Sequence, residues 1–185
     1  MSGMGLEVAV LAAGAALASA LLVARWIWER LAPPVPPRAA RVYISWARAG
    51  RTARDRLVHA LKPAIDAGRL VVHHDREVRR GHAWDQQLHP RVHDADLYLV
   101  LLTPDWLRDP LCRGRERSIW EPRVERGRAR VLLVLLHATD LREPALSRLP
   151  LYPPDGRPLG RPGRELSEPA AEALLPVVLA AAGRS

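Results

Sequence analysis

Phenylalanine is absent from the 185 residues, cysteine and lysine occur once each, and methionine occurs twice. A single cysteine, Cys112, excludes an intramolecular disulfide and the small secreted scaffolds that disulfides hold together. It fits a reducing compartment for the folded part, and it removes any cysteine-based zinc site. With Lys62 the sole lysine, 27 of the 28 basic residues are arginine, a skew that codon bias alone can produce. The net charge of +8 would ordinarily raise nucleic acid or an anionic membrane as partner. No basic cluster is interleaved with stacking aromatics, however, and no groove-reading motif is present, so no nucleic-acid partner is expected. Also missing are a GxxxxGK[ST] phosphate loop, a GxGxxG turn after the first strand and a GxSxG elbow.

What is present is ordinary globular content, 48% hydrophobic and 26% charged, enough for about one domain and an appendage. The appendage is at the amino terminus. Val8 to Ala24 carries no charge and runs on through Arg25 into Trp26, Ile27 and Trp28, enough apolar length for one bilayer crossing. The tryptophans suit the membrane interface and Arg25 can snorkel. The rival is a cleaved signal peptide, since Ala18-Ser19-Ala20 resembles a cleavage site, but the first seven residues hold Glu7 and no positive charge. A transmembrane anchor over 6–28 is therefore expected, in contact with the lipid bilayer. Arg25, Arg30, Arg38 and Arg41 all follow the uncharged run that ends at Ala24, and the positive-inside bias makes this a single-pass membrane protein with a cytoplasmic carboxy-terminal part. Ala32-Pro33-Pro34-Val35-Pro36-Pro37 lies in a stiff linker, 29–40, and the globular domain is expected over 41–182.

Within that domain, Val42 to Trp46 reads as a buried first strand. Ala53, Leu57, Leu61 and Ile65 mark one face of a helix from Thr52 to Ala67, kinked or shortened by Pro63 and ended at Gly68. Leu70 to His74, Leu97 to Leu102 and Ala129 to Leu136 supply three further strands. Trp84, Leu88 and Val92 mark a second helix, Arg115 to Arg126 a third, and Leu166 to Ala182 a last amphipathic one. This alternation predicts an α/β, flavodoxin-like doubly wound parallel sheet, preceded by one transmembrane helix. Arg157 to Gly160 is the only candidate for a fifth strand.

Ligands in such sheets bind at the carboxyl edge, which directs attention to Ser45 to Arg48, Asp75 to Gly81, Thr103 to Trp106 and His137 to Asp140. His89 and His93 stand four apart without a third ligand, and His73 and His74 point to opposite faces of their strand, so no metal site is expected. Glu116 opens the helix after the third strand, flanked by Arg113, Arg115 and Arg117. A carboxylate there is favoured by the helix dipole and by those arginines, whatever else it does. Trp46, Trp84, Trp106 and Trp120 suit core positions, although Trp46 at a strand end can stack on a flat ring.

Taken in order, five blocks resemble a TIR (Toll/interleukin-1 receptor) domain of the bacterial type. They are Val42-Tyr43-Ile44-Ser45-Trp46; the run His74 to Asp85; the run Ala95 to Leu107; Cys112 with Glu116 four residues on; and Arg130 to Leu136, followed by Leu149-Pro150 and Asp155-Gly156-Arg157-Pro158. The resemblance implies self-association, largely through the segment Asp75 to Trp84. It also implies cleavage of the nicotinamide–ribose bond of NAD, as substrate rather than cofactor, with Glu116 as the essential carboxylate and no metal or other cofactor. Trp46 would stack on nicotinamide or adenine, while Ser45, Arg48, Asp75 and Arg76 would bind the rest of NAD. Around Glu116 the family's apolar and acidic neighbours are replaced by arginines, which either pair with the carboxylate or draw in the pyrophosphate. The implied whole is a membrane-anchored defence or cell-death effector triggered by oligomerisation, with an unidentified sensor protein as a further partner. The alternatives are a non-enzymatic adaptor acting by homotypic association, and a flavodoxin-like regulatory domain that binds a small nucleotide without cleaving it.

Overall fold

A computed structural model describes residues 38–74, 89–161 and 165–183. Five strands form one sheet: β1 (Ala40–Trp46), β2 (Leu70–His74), β3 (Leu97–Leu102), β4 (Arg130–Leu135) and β5 (Leu151–Tyr152). Their order is β2-β1-β3-β4-β5 and every pairing is parallel. β3 is buried at all six positions, as a central strand covered on both faces must be.

The fifth strand differs from the expectation. It is Leu151–Tyr152, not Arg157 to Gly160, although the N–H groups of Leu159 and Gly160 donate to the carbonyls of Leu135 and Leu136 at 2.9 and 2.8 Å. With Pro150 on one side and Pro153 on the other, two residues are too few to show an alternation.

Alternate residues of the central strands feed two separate cores. Val42, Ile44, Leu99, Leu101 and Val134 face α1 (Arg51–Asp66), which contributes Ala53, Leu57, Leu61 and Ala64. The same core takes Ala171 of α6 (Glu168–Glu172) and Leu174 and Val178 of α7 (Leu174–Ala181). On the other face Tyr43, Tyr98, Val100 and Leu133 pack with residues that follow β3. There lie α3 (Pro104–Arg108), a π-helical turn (Pro110–Glu116) and α4 (Arg117–Glu125), while α2 (His89–His93) and α5 (Pro144–Ser147) add Val92 and Leu146. Burial raises the Tyr98 phenol above its ordinary pKa, and its hydroxyl donates to the Val92 carbonyl at 2.6 Å.

Several helix boundaries have local causes. α1 runs through Pro63 unbroken, because a proline in the last turn removes only one internal N–H donor, and it closes at Gly68 with φ +67°. There Arg69 N–H reaches the Ala64 carbonyl and Gly68 N–H the Ile65 carbonyl, the paired bonds of a Schellman end. The helix expected over 166–182 is two pieces, since Pro176 cannot donate to the carbonyl four residues back and the chain turns at Ala173. Ser167 caps the first piece by accepting from Ala170 N–H.

Of the second expected helix, Trp84 and Leu88 lie outside the described residues, as does the segment Asp75 to Trp84. So do the anchor segment 6–28 and the linker through Pro37. No helix among the described residues is long and apolar enough to cross a membrane.

Candidate functional site

The strand order places a topological switch between β1 and β3. Beyond β1 the chain turns onto the α1 face, and beyond β3 it turns onto the opposite one. Open α/β sheets hold ligands at that crevice. The period of two along β1 aims Tyr43 and Ser45 at the face covered by the π-helical turn and α4, and Trp46 at the α1 face.

Glu116 meets the first pair. Its residue is 1% exposed, Tyr43 Oη donates to Oε1 at 2.8 Å, and the Ser45 hydroxyl donates to Oε2 in a short contact. Trp106 Nε1 in turn donates to Ser45 Oγ at 2.8 Å. Two carboxylate oxygens thus take two hydroxyl donors, and the serine is itself oriented by an indole. Trp106 is fixed by its position in α3, where Thr103 caps the helix by accepting from Trp106 N–H at 3.2 Å.

The turn carrying Glu116 is not α-helical. Asp109 starts it, accepting from Leu111 and Cys112 N–H at 2.8 and 3.3 Å, and Arg117 N–H closes it on the Cys112 carbonyl five residues back. Such a widened turn holds one residue more than an α-turn and is frequent at functional positions. Here both Cys112 and Glu116 are buried against the sheet, with Cys112 Sγ donating to the Trp46 carbonyl at 3.3 Å. Arg113 and Arg115 are exposed on the turn.

Two of the arginines that flank Glu116 in sequence have acid partners of their own. Arg117 binds Glu121 at 2.9 Å and Glu143 at 2.5 Å, and Arg113 reaches Glu143 at 3.4 Å.

Of the residues expected to bind NAD, Ser45 is engaged by Glu116 and Trp106, and Arg48 is exposed just past the end of β1. Trp46 lies across the strand from Glu116, its ring under the Arg54 guanidinium carbon at 4.0 Å. Asp75 and Arg76 lie outside the described residues. No group of three or more His, Cys, Asp or Glu able to hold a metal occurs among the described residues. At the carboxyl end of β4, His137 Nε2 and Glu165 Oε2 stand 4.0 Å apart, each without a hydrogen bond among the described residues.

Sequence reasoning did not single out Tyr43, Trp106 or Arg54 for these roles. Tyr43 was within reach of it, since it is two residues from Ser45 on one strand and therefore shares its face. Arg54 was hidden by its place in a helix read only for its apolar positions.

A family model described as the TIR domain matches residues 42–156, well over half the chain. The chain is also similar to the uncharacterized protein y4lF of Sinorhizobium fredii (strain NBRC 101917 / NGR234), 25% identical over 118 residues. That alignment covers 64% of this chain and 36% of the relative, so the chain spans about a third of the length of the protein it matches. With the five-stranded parallel sheet, the flanking helices and the family match in agreement, the chain belongs to the TIR domain family.

Proposed function

We propose that this TIR domain hydrolyses NAD at the nicotinamide–ribose bond, with Glu116 as the catalytic carboxylate. One observation carries the reading: an acid in the turn after β3, beside the switch point, with Tyr43 and Ser45 holding its two oxygens. Breaking the C1′–N bond sends its electron pair out with neutral nicotinamide and leaves an oxocarbenium-like ribose. A fixed negative charge beside that centre lowers the barrier because it needs no reorganisation at the moment of reaction. Water then bonds to C1′ and loses a proton, giving ADP-ribose, nicotinamide and H⁺. Ser45 and Tyr43 act as positioning residues, and Arg48 stands where it can meet a phosphate. Self-association through the TIR domain assembles the active form, anchored to the bilayer by 6–28 with the domain in the cytoplasm and triggered by a sensor protein.

The burial of Glu116, at 1% exposure with both oxygens bonded, favours a second reading. In it the carboxylate ties β1 to the turn after β3, and the protein is an adaptor working by homotypic TIR association. Cellular NAD, followed after induction of the full chain beside Glu116→Ala at equal expression, separates the two. The enzyme reading expects NAD to fall only with Glu116 intact. If neither form lowers NAD even when artificially oligomerised, the adaptor reading replaces it.

A further inference from the structure

We propose that Trp46 and Arg54 form a phosphate-binding pocket on the α1 side of the sheet, separate from the Glu116 carboxylate. Arg54 is in the first turns of α1 with its side chain 2% exposed, and its guanidinium carbon stacks 4.0 Å from the centroid of the Trp46 ring. Its Nε and Nη2 both donate to Asp55 Oδ1, at 3.1 and 2.7 Å. Among the described residues Nη1 has no hydrogen-bond partner, and neither has Trp46 Nε1.

Guanidinium and indole N–H groups only donate, so the stacked pair cannot satisfy itself. Two buried, unmatched donors on adjacent side chains require an acceptor from outside the pair. The surrounding charge identifies its kind. From Arg48 to Arg56 four arginines (48, 51, 54 and 56) stand against one acid, Asp55, which is half-exposed. No acid occupies the first turn of α1, so the positive end of the helix dipole adds to the field. An oxyanion fits this setting better than a neutral carbonyl, and the planar guanidinium favours phosphate, whose oxygens can take Nη1–H and the indole N–H together. The pair also lies at the carboxyl end of β1, beside the sheet's switch point.

The test is calorimetric titration of the full chain with inorganic phosphate, adenosine 5′-monophosphate and, as an uncharged control, adenosine. The expected result is binding of both phosphate-bearing probes and none of adenosine. Tighter binding of the monophosphate than of phosphate assigns a nucleotide as the source, and equal affinity assigns the free anion. Arg54→Met should weaken binding by at least about tenfold, the scale of one charge-assisted hydrogen bond. Trp46→Phe keeps the ring and removes only the N–H, and should weaken it severalfold; it decides alone if circular dichroism shows Arg54→Met unfolded. Glu116→Gln should bind like the parent. The proposal is overturned if no phosphate-bearing probe binds at millimolar concentration, the result expected if an ordered water fills the pocket. It is equally overturned if binding survives both pocket variants or disappears in Glu116→Gln.

Discussion

The two faces of β1 are built from neighbouring residues and do different work. Val42 and Ile44 enter an apolar core with α1, α6 and α7, in which Leu57, Leu61, Leu101 and Leu174 are all fully buried. Tyr43 and Ser45, one residue along in each case, enter a polar chain running Trp106 to Ser45 to Glu116, with Tyr43 on the second carboxylate oxygen. Both faces exclude water. Around Val42 and Ile44 stability comes from apolar area, with Arg54 the one charged side chain buried in that helix, whereas the other face commits buried polar groups to one geometry, which is costly unless every partner is in place. The second arrangement suits a place where a charge must be held ready, and it lies beside the switch point.

The sharpest way to break the contrast is to delete packing on the apolar face. Leu57 is wholly buried in the middle of α1, so Leu57→Ala should cost about 2–5 kcal/mol through lost transfer energy and a residual cavity. Urea unfolding followed by far-ultraviolet dichroism reads this directly. A loss below about 1 kcal/mol would mean that the α1 core collapses around the gap and is less well packed than its burial indicates.

The polar face responds on a smaller scale. Tyr43→Phe removes one hydroxyl from Glu116 Oε1 while the ring stays in the core, so the substitution should lower stability by about 1–3 kcal/mol, the range for depriving a buried acceptor of its partner. Under the enzyme reading the variant should also lower turnover of NAD more than it changes KM, because it loosens a carboxylate that acts in the transition state. An unchanged turnover number alongside the full stability loss would show that Tyr43 ties Glu116 into the fold without positioning it for turnover.

How much of this was readable in the sequence follows the same division. The apolar face was legible because its signals are periodic: Ala53, Leu57, Leu61 and Ile65 at helical spacing, and continuous runs for β3 and β4. What was not periodic was not legible. The strand Leu151–Tyr152 is too short to alternate, and the π-helical turn, which Arg117 N–H closes on the Cys112 carbonyl, is announced by no residue type. Glu116 was picked out, yet its partners in sequence suggested arginine pairing. In the fold, Arg117 turns to Glu121 and Glu143, and Arg113 to Glu143. Arg54 shows the converse. A charged residue at a core-facing position of an amphipathic helix contradicts the helix's own pattern, and that contradiction was the signal.

The smallest effect lies at the edge of the polar face. His73 pairs in register with Tyr43 on the edge strand β2, half-buried, and burial lowers its pKa from the ordinary 6.5, with Arg91 and Arg41 adding repulsion. The unfolded chain therefore takes up a proton at a higher pH than the folded one. The contribution of this group to stability is fully present above about pH 6.5 and declines as the pH falls below it, ceasing to change once the folded histidine is protonated as well. The urea midpoint should drop further between pH 7.5 and pH 5.5 in the parent than in His73→Asn, whose side chain does not titrate. Equal drops would show that protonation at this edge is accommodated by solvent and that the demand for exact polar matching ends at Tyr43, one strand further in.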